Sequence, residues 1–377
     1  MKVLITVATY SPDKNGVQYV TQYQAEGLVK LGHEVTVVTS DHNGKYKMYE
    51  IINGVKIIRL NAANKNMFHR GNKKIFQKKT ISIANQCNVM INVCLQSFAA
   101  DWVLPIIDKI ECRKILIMHS MHNFTWTLAD KNSFSNLIKK ILRDLRWRFF
   151  YTKEWTNIIK YDNIIHLHEK DISKVFFQNR GYNYNEVIYN AIDRNFFIDC
   201  NKTNQIISVA SYNSRKNQLL ALKIFYLADT KDYKMLFIGM PDNNYYYKML
   251  EMKKEYDSKY GFKNVEILVN VDREKTISEI KNSKIYFMSS TWEGFPISVI
   301  EALATGAAYL STNVGIVNEI PGGIVAESEE NLVKSLSNLI SGDWITLGEI
   351  GKNYVAANMN QDVVVKKLEK VIRKREM

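Results

Sequence analysis

Short apolar runs alternate along this chain with longer stretches that carry apolar residues at helical spacing, and the alternation starts over once. The opening residues set the unit. Lys2 to Ala8 is an apolar run that suits a buried strand, and Asp13-Lys14-Asn15-Gly16 is a polar loop. Val17 to Leu31 has the spacing of a helix, Gly32 ends it, and Val35 to Val38 is the next strand. Further strand candidates are Val55–Ile58, Val89–Val93, Ile115–Met118, Ile164–Leu167 and Val187–Ile188. After Asp193 the pattern begins again with Ile206–Val209, Met235–Ile238, Val265–Val269, Ile285–Met288 and Ala308–Leu310. Leu219–Ala228, Tyr245–Tyr260, Thr276–Lys281 and Ile297–Leu303 are the helices between them. Apolar strands alternating with helices predict parallel sheets covered on both faces, so two doubly wound α/β domains are expected. In such sheets ligands gather at the C-terminal ends of the strands.

Length agrees with this division, since 377 residues suit two domains better than one. The expected boundaries are 1–192 for the first domain, a polar linker over 193–204, a second domain over 205–358, and a terminal segment 359–377. That segment contains a basic amphipathic helix from Gln361 to Arg375. No apolar run reaches the ~18–20 residues of a membrane span, and the N-terminus enters a strand directly, unlike a signal peptide. Cys87, Cys94, Cys112 and Cys200 form no C-x-x-C pair and suit buried thiols in a reducing compartment. A cytoplasmic location is the expectation. Charge is lopsided: residues 1–190 hold 27 Lys+Arg against 15 Asp+Glu, a net of +12, which leaves +1 of the chain's +13 for the rest. A basic half points to an anionic partner there.

That partner has a candidate surface. Asn136 to Lys160 carries Lys139, Lys140, Arg143, Arg146, Arg148 and Lys153 among Trp147, Trp155 and other apolar residues. Basic and aromatic residues on one helix suit an anionic lipid surface, with Lys139, Lys140, Arg143, Arg146 and Trp147 as its expected contacts. A packed helix with a solvated basic face is the alternative. Nucleic acid is not expected as a partner, because no recognition motif accompanies the charge.

The chemistry concentrates in Thr291-Trp292-Glu293-Gly294-Phe295-Pro296-Ile297-Ser298-Val299-Ile300-Glu301-Ala302-Leu303, which follows the strand Lys284–Met288 and opens a helix that runs to Gly306. Gly294 lets backbone approach a ligand, and Pro296 suits a first helical turn. The amides of that turn and the dipole behind them attract phosphate or sugar hydroxyls. Glu293 lies at the mouth of the turn and Glu301 eight residues further on. This E-x-x-x-x-x-x-x-E arrangement, with Gly-Phe-Pro inside it and Glu-Ala-Leu at its end, resembles the motif of the family 4 (group 1) retaining glycosyltransferases. The resemblance covers most of the chain and is densest over residues 285–320.

It implies the GT-B fold, two Rossmann-like domains facing a central cleft, with the terminal helix crossing back to the first. It implies that Glu293 and the Gly294, Phe295 and Pro296 turn hold the donor sugar, and that Glu301 holds a nucleotide ribose. Lys216 falls where the family carries its phosphate-binding lysine, and Arg215 lies beside it. The chain departs from the pattern at Ser211, where the family has an arginine, and in keeping only Gly16 of a usual glycine pair. Arg215 is the candidate to stand in for the missing arginine, from a different backbone position, and whether it does so is not decided by the sequence. His119, just past the strand Ile115–Met118, matches the family's cleft histidine, and catalytic roles are expected for His119, Lys216 and Glu293. His122 completes a His-x-x-His, but no third ligand at suitable spacing makes it a metal site. His166-Leu167-His168 alternates along a strand, so its histidines point to different faces. No D-x-D occurs, so no cofactor and no essential metal are expected. The function implied is transfer of a sugar, with retention, from a UDP-sugar to a hydroxyl acceptor in a lipid-linked or polymeric cell-envelope glycan. It would take place in the cytoplasm or peripherally on the inner face of the cell membrane. A non-catalytic GT-B partner subunit or glycan-binding scaffold is the alternative, motivated by Ser211 and the single Gly16.

Overall fold

The structure, a computed structural model, describes residues 1–13, 15–42, 44–65, 68–119, 121–126, 128–131 and 133–374. Lys14 of the first loop and Arg375 of the terminal helix lie outside the described residues. The chain divides into two compact units, Met1–Tyr189 with Val364–Met377, and Asn190–Val363.

In the first unit the strands are β1 (Lys2–Thr6), β2 (Glu34–Ser40), β3 (Tyr49–Ile52), β4 (Val55–Leu60), β5 (Ala62–Lys65), β6 (Phe68–Gly71), β7 (Val89–Val93), β8 (Arg113–Ile117), β9 (Asn163–His166) and β10 (Asn185–Val187). Eight of them form one sheet in the order β10-β9-β8-β7-β1-β2-β4-β3, and β5 and β6 form a separate hairpin. Every neighbour in the large sheet is parallel except β3, which runs antiparallel to β4. All five residues of β7 are buried, as a strand with helices on both faces requires. Burial of each such valine or isoleucine contributes about 1.5–3 kcal/mol. Strand order reverses between β1 and β7, where the loops leaving the two C-terminal ends diverge.

The second unit repeats this logic with β11 (Thr203–Val209), β12 (Lys234–Gly239), β13 (Val265–Val269), β14 (Ser283–Met288), β15 (Ala308–Ser311) and β16 (Gly323–Val325). They form one sheet in the order β13-β12-β11-β14-β15-β16, parallel throughout. Phe237, Phe287 and Leu310 from the strands pack with Leu222, Phe225 and Leu336 from the helices in one core. Here the order reverses between β11 and β14.

The segment 193–204, expected as a linker, is part of the second unit. Phe196 is buried within a short turn at Arg194–Phe197, Ile192 bridges to Asn360, and β11 has begun by Thr203. The final helix, Gln361–Arg373, buries Val364, Val365, Leu368, Val371 and Ile372. From Val364 on it belongs to the first unit, where it meets the helix Gly16–Lys30 at Gly27. A Cβ on Gly27 would lie 2.5 Å from a methyl of Val365, so glycine sets how closely the helices approach. His33 and Glu369, 2.9 Å apart, add a polar contact to the same packing.

Candidate active site

The reversal between β11 and β14 places two loops side by side, and both carry predicted site residues. After β11, Asn213 Oδ1 accepts from the amides of Arg215 at 3.1 Å and Lys216 at 3.2 Å, which turns the chain sharply. Asn217 then takes a left-handed conformation, φ 49°, before the helix Gln218–Leu227 begins. After β14, Ser289 Oγ donates to the Asn217 carbonyl at 2.8 Å, and the Thr291 amide donates to the Arg215 carbonyl at 2.8 Å. The loops are thus fastened by backbone and hydroxyl groups, and their charged side chains remain for chemistry.

Those side chains meet. Lys216 Nζ pairs with Glu293 Oε1, with the lysine side chain 19% and the glutamate side chain 8% exposed. In a partly buried setting each charge needs the other, because breaking such a pair leaves an uncompensated ion. Arg215 is exposed and its guanidinium lies 5.6 Å from the centre of the Trp292 ring, which orients it beside the same turn. Ser211 offers its carbonyl, which accepts from Gln218 Nε2 at 3.0 Å and Asn213 Nδ2 at 3.3 Å.

Gly294 needs no special conformation, and a Cβ there would meet nothing within 4 Å. The fold itself does not demand glycine at this position. Gly315 differs: its φ is +59°, and a Cβ would fall 2.9 Å from the Gly294 carbonyl oxygen. It props the Glu293–Gly294 backbone from behind. Pro296 caps the helix Ile297–Ala304 one residue earlier than the first-turn position expected, and its carbonyl accepts from the Val299 amide at 3.1 Å. Tyr286 ties β14 to this helix, its hydroxyl 2.7 Å from Ser298 Oγ and accepting from the Val209 amide at 3.2 Å.

Glu301, on the same helix, is 6% exposed and pairs with Arg273, the first residue of the helix Arg273–Asn282. Burial pushes the Glu301 carboxyl above its ordinary range, and Arg273 pulls the other way. Arg273 is a residue the sequence did not single out. Its only sequence signal is a cation opening a helix just after a strand, with Asp272 as the cap.

In the first unit, Gly16 opens its helix behind Asn15, whose Oδ1 accepts from the Gln18 amide at 2.9 Å. As at Gly294, a Cβ on Gly16 would meet nothing within 4 Å. His119 follows β8. Burial lowers its pKa to about 4, so the ring is neutral at pH 7, and Nε2 has no hydrogen-bond partner among the described residues. His122 is committed elsewhere, with Nε2 2.6 Å from Asp144 Oδ1. His166 is a core residue, 2.7 Å from both Ser173 Oγ and Asn185 Oδ1. Among the described residues no group of three or more His, Cys, Asp or Glu could hold a metal ion.

Two of the five expected lipid-surface contacts are turned inward. Lys140 is buried with Nζ on Asp144 at 2.8 Å and on the Asn123 carbonyl at 2.6 Å, and Trp147 is buried in the core. Burial raises the Asp144 carboxyl, but hydrogen bonds from Lys140 and His122 outweigh it and leave Asp144 below its ordinary range. That acid is why a lysine can point inward. Lys139 is exposed, Arg143 lies 3.8 Å from Asp130, and Arg146 covers the Phe68 ring at 4.5 Å.

Residues 193–341 match the family model described as Glycosyl transferases group 1. Solved structures share the fold along the whole chain. A glycosyltransferase from Rickettsia africae ESF-5 superposes with a TM-score of 0.71 at 15% identity, covering 99% of this chain and 97% of that one. Sucrose-phosphate synthase from Thermosynechococcus elongatus gives 0.70 at 14% identity, with 99% and 98% covered. HepE from Anabaena, in complex with UDP-glucose, gives 0.62 at 11% identity, with 99% of each chain covered. Among curated proteins none matches this chain in sequence. Likeness at these identities speaks to fold: two Rossmann-like domains of the GT-B type. Residues 193–341 are thus a group 1 glycosyltransferase domain, carried by a transferase whose whole chain has the GT-B fold.

Proposed function

We propose that the second unit binds a UDP-sugar where β11 and β14 diverge. The chain then transfers the sugar, with retention, to a hydroxyl of a lipid-linked or polymeric cell-envelope glycan. The Lys216–Glu293 pair between the two loops carries this reading. A bound donor offers each member a new partner: its diphosphate, more highly charged than one carboxylate, takes the lysine ammonium, and a sugar hydroxyl donates to the freed carboxylate. As the glycosidic C–O bond breaks, the leaving phosphate oxygen gains charge, and Lys216 with Arg215 stabilises it there. Gly294 has room above its backbone for the sugar to approach. Glu301, with Arg273 to favour its ionised form, accepts from a ribose hydroxyl. His119, neutral at pH 7, takes part through hydrogen bonding and not as a cation.

No carboxylate is assigned as a nucleophile. Retention follows from front-face attack, in which the leaving phosphate oxygen takes the acceptor proton on the side where the bond breaks. The cations and the helix start take the place of a metal, and no cofactor is required. Uridine is favoured because HepE, which shares the fold, binds UDP-glucose.

Incubation with UDP-, GDP- and ADP-sugars in excess EDTA tests the proposal through slow hydrolysis of the donor. Hydrolysis of a UDP-sugar that persists in EDTA is expected. Hydrolysis of none would overturn the donor assignment, and loss restored by Mg²⁺ or Mn²⁺ would overturn the metal-free part.

A further inference from the structure

The helix Phe134–Ile158 turns charged residues inward and large apolar residues outward. Phe134–Ile158 buries Lys140, Asp144, Trp147, Tyr151, Glu154 and Ile158. It turns outward Phe134 (77% exposed), Ile138 (40%), Ile141 (41%), Leu142 (60%), Leu145 (59%) and Phe149 (70%). At 3.6 residues per turn these six share a stripe about 100° wide and roughly 22 Å long, opposite the buried set. The inward charges are satisfied, since Lys140 and His122 both bond Asp144. The exposed stripe therefore belongs to a settled packing, and it is an apolar surface left in water.

Charge along the stripe says what covers it. The only acids on the helix, Asp144 and Glu154, are both buried. Lys139, Arg146 and Lys153 follow one edge of the stripe and Arg148 the other. Beyond the helix, Phe68 of the β5–β6 hairpin is 59% exposed with the Arg146 guanidinium 4.5 Å from its ring centre, so the apolar surface continues onto a second element.

We infer that this stripe is the docking face for an anionic lipid bilayer. The apolar side chains enter the boundary between headgroups and acyl chains, and the flanking cations meet lipid phosphates. A second copy of the chain suits the face poorly, because two such helices would bring their cationic edges together. Attachment is peripheral, since among the described residues no helix is long and apolar enough to cross a membrane. This surface differs from the one the basic residues alone suggest: Lys140 and Trp147 have no part in it, and the apolar residues lead. The inference rests on this helix and its hairpin neighbour and stands apart from the donor chemistry, which is measured in solution.

The test is co-sedimentation of the full chain with phosphatidylcholine vesicles and with vesicles one-third phosphatidylglycerol. Alongside wild type go a stripe variant (Phe134→Ser, Leu142→Ser, Leu145→Ser, Phe149→Ser) and an edge variant (Lys139→Glu, Arg146→Glu, Arg148→Glu, Lys153→Glu). Wild type is expected to partition onto the anionic vesicles, and each variant to lose about tenfold or more in partition, with solution donor hydrolysis unchanged. Absence of wild-type binding to anionic vesicles would overturn the inference. So would undiminished binding of the stripe variant, which would leave only a solvated basic surface. A wild-type dimer that the stripe changes convert to monomer, without vesicle binding, would identify the occupant as a second copy instead. Should the stripe variant not fold, Leu145→Trp serves in its place: its fluorescence is expected to shift to the blue on anionic vesicles, and the absence of a shift counts against docking.

Discussion

The two units share a plan and differ in the chemistry carried by the loops after their strands. Each is a doubly wound sheet, parallel but for the edge strand β3, whose crossover direction reverses between β1 and β7 in the first and between β11 and β14 in the second. At the second reversal every carboxylate of the site is held by a cation, Glu293 by Lys216 and Glu301 by Arg273. In the first unit the predicted site residues are uncharged: Gly16 opens the helix after β1, at the reversal, and His119, made neutral by burial, follows β8 one strand further along. One topology therefore carries ion-paired loops in the second unit and uncharged ones in the first. The divergence lies in the loops after the strands, which a shared sheet leaves free to vary.

The largest effect that can test this contrast is on transfer itself. Glu293→Gln and Lys216→Ala should each lower sugar transfer by ~10²-fold or more, with the fold retained. Initial rates with the active donor, beside circular dichroism of each variant, check this. Transfer within about tenfold of wild type would remove that residue from the site.

Next is the pH dependence of the first unit. Burial lowers the pKa of both His119 and His166 to about 4 from an unfolded value near 6.5. Between those values the unfolded chain binds more protons, so stability is complete above about pH 6.5 and falls as the pH drops toward 4. Urea midpoints that move down from about pH 7 to about pH 4.5 are expected. Midpoints that stay constant or rise would show that these rings are not held neutral.

A smaller change separates the two carboxylates of the second unit. Arg273→Ala removes the partner that favours ionised Glu301, and nucleotide binding should weaken by about tenfold. Calorimetry with UDP checks this, and unchanged affinity would detach Glu301 from the ribose. The smallest is Gly315→Ala, which sets a Cβ against the Gly294 carbonyl at φ +59°. A cost of about 1–2 kcal/mol and a severalfold higher donor KM are expected. An unaltered KM would mean that the 293–294 backbone does not need this support.

Much of the fold was legible because fully buried strands announce themselves. Val89–Val93 and Val265–Val269 are strands at the limits expected, and Ile297–Leu303 extends by one residue. Elements without that signal were missed. The edge strand Tyr49–Ile52 and the paired strands Ala62–Lys65 and Phe68–Gly71 are short and largely exposed, and Asn64, His69 and Arg70 interrupt any apolar run. At the site, the loops carrying Lys216 and Glu293 were identified, but the ion pair joining them depends on which strands are neighbours, which local sequence does not state. Arg273 was missed for the same reason, since its partner lies 28 positions away. The helix Phe134–Ile158 teaches the sharpest lesson. Its apolar stripe and its cations were both visible, but which face turned inward depended on Asp144, a single acid able to hold Lys140 and His122.

UDP binding in EDTA, measured by titration calorimetry on wild type, Glu293→Gln and Lys216→Ala, tests the central claim most directly. If the donor diphosphate takes Lys216 from Glu293, the two halves of the pair respond in opposite directions. Glu293→Gln releases the lysine and should bind UDP as tightly as wild type or more so, whereas Lys216→Ala should lose about tenfold or more. Equal losses in both variants, or full affinity in Lys216→Ala, would contradict the account.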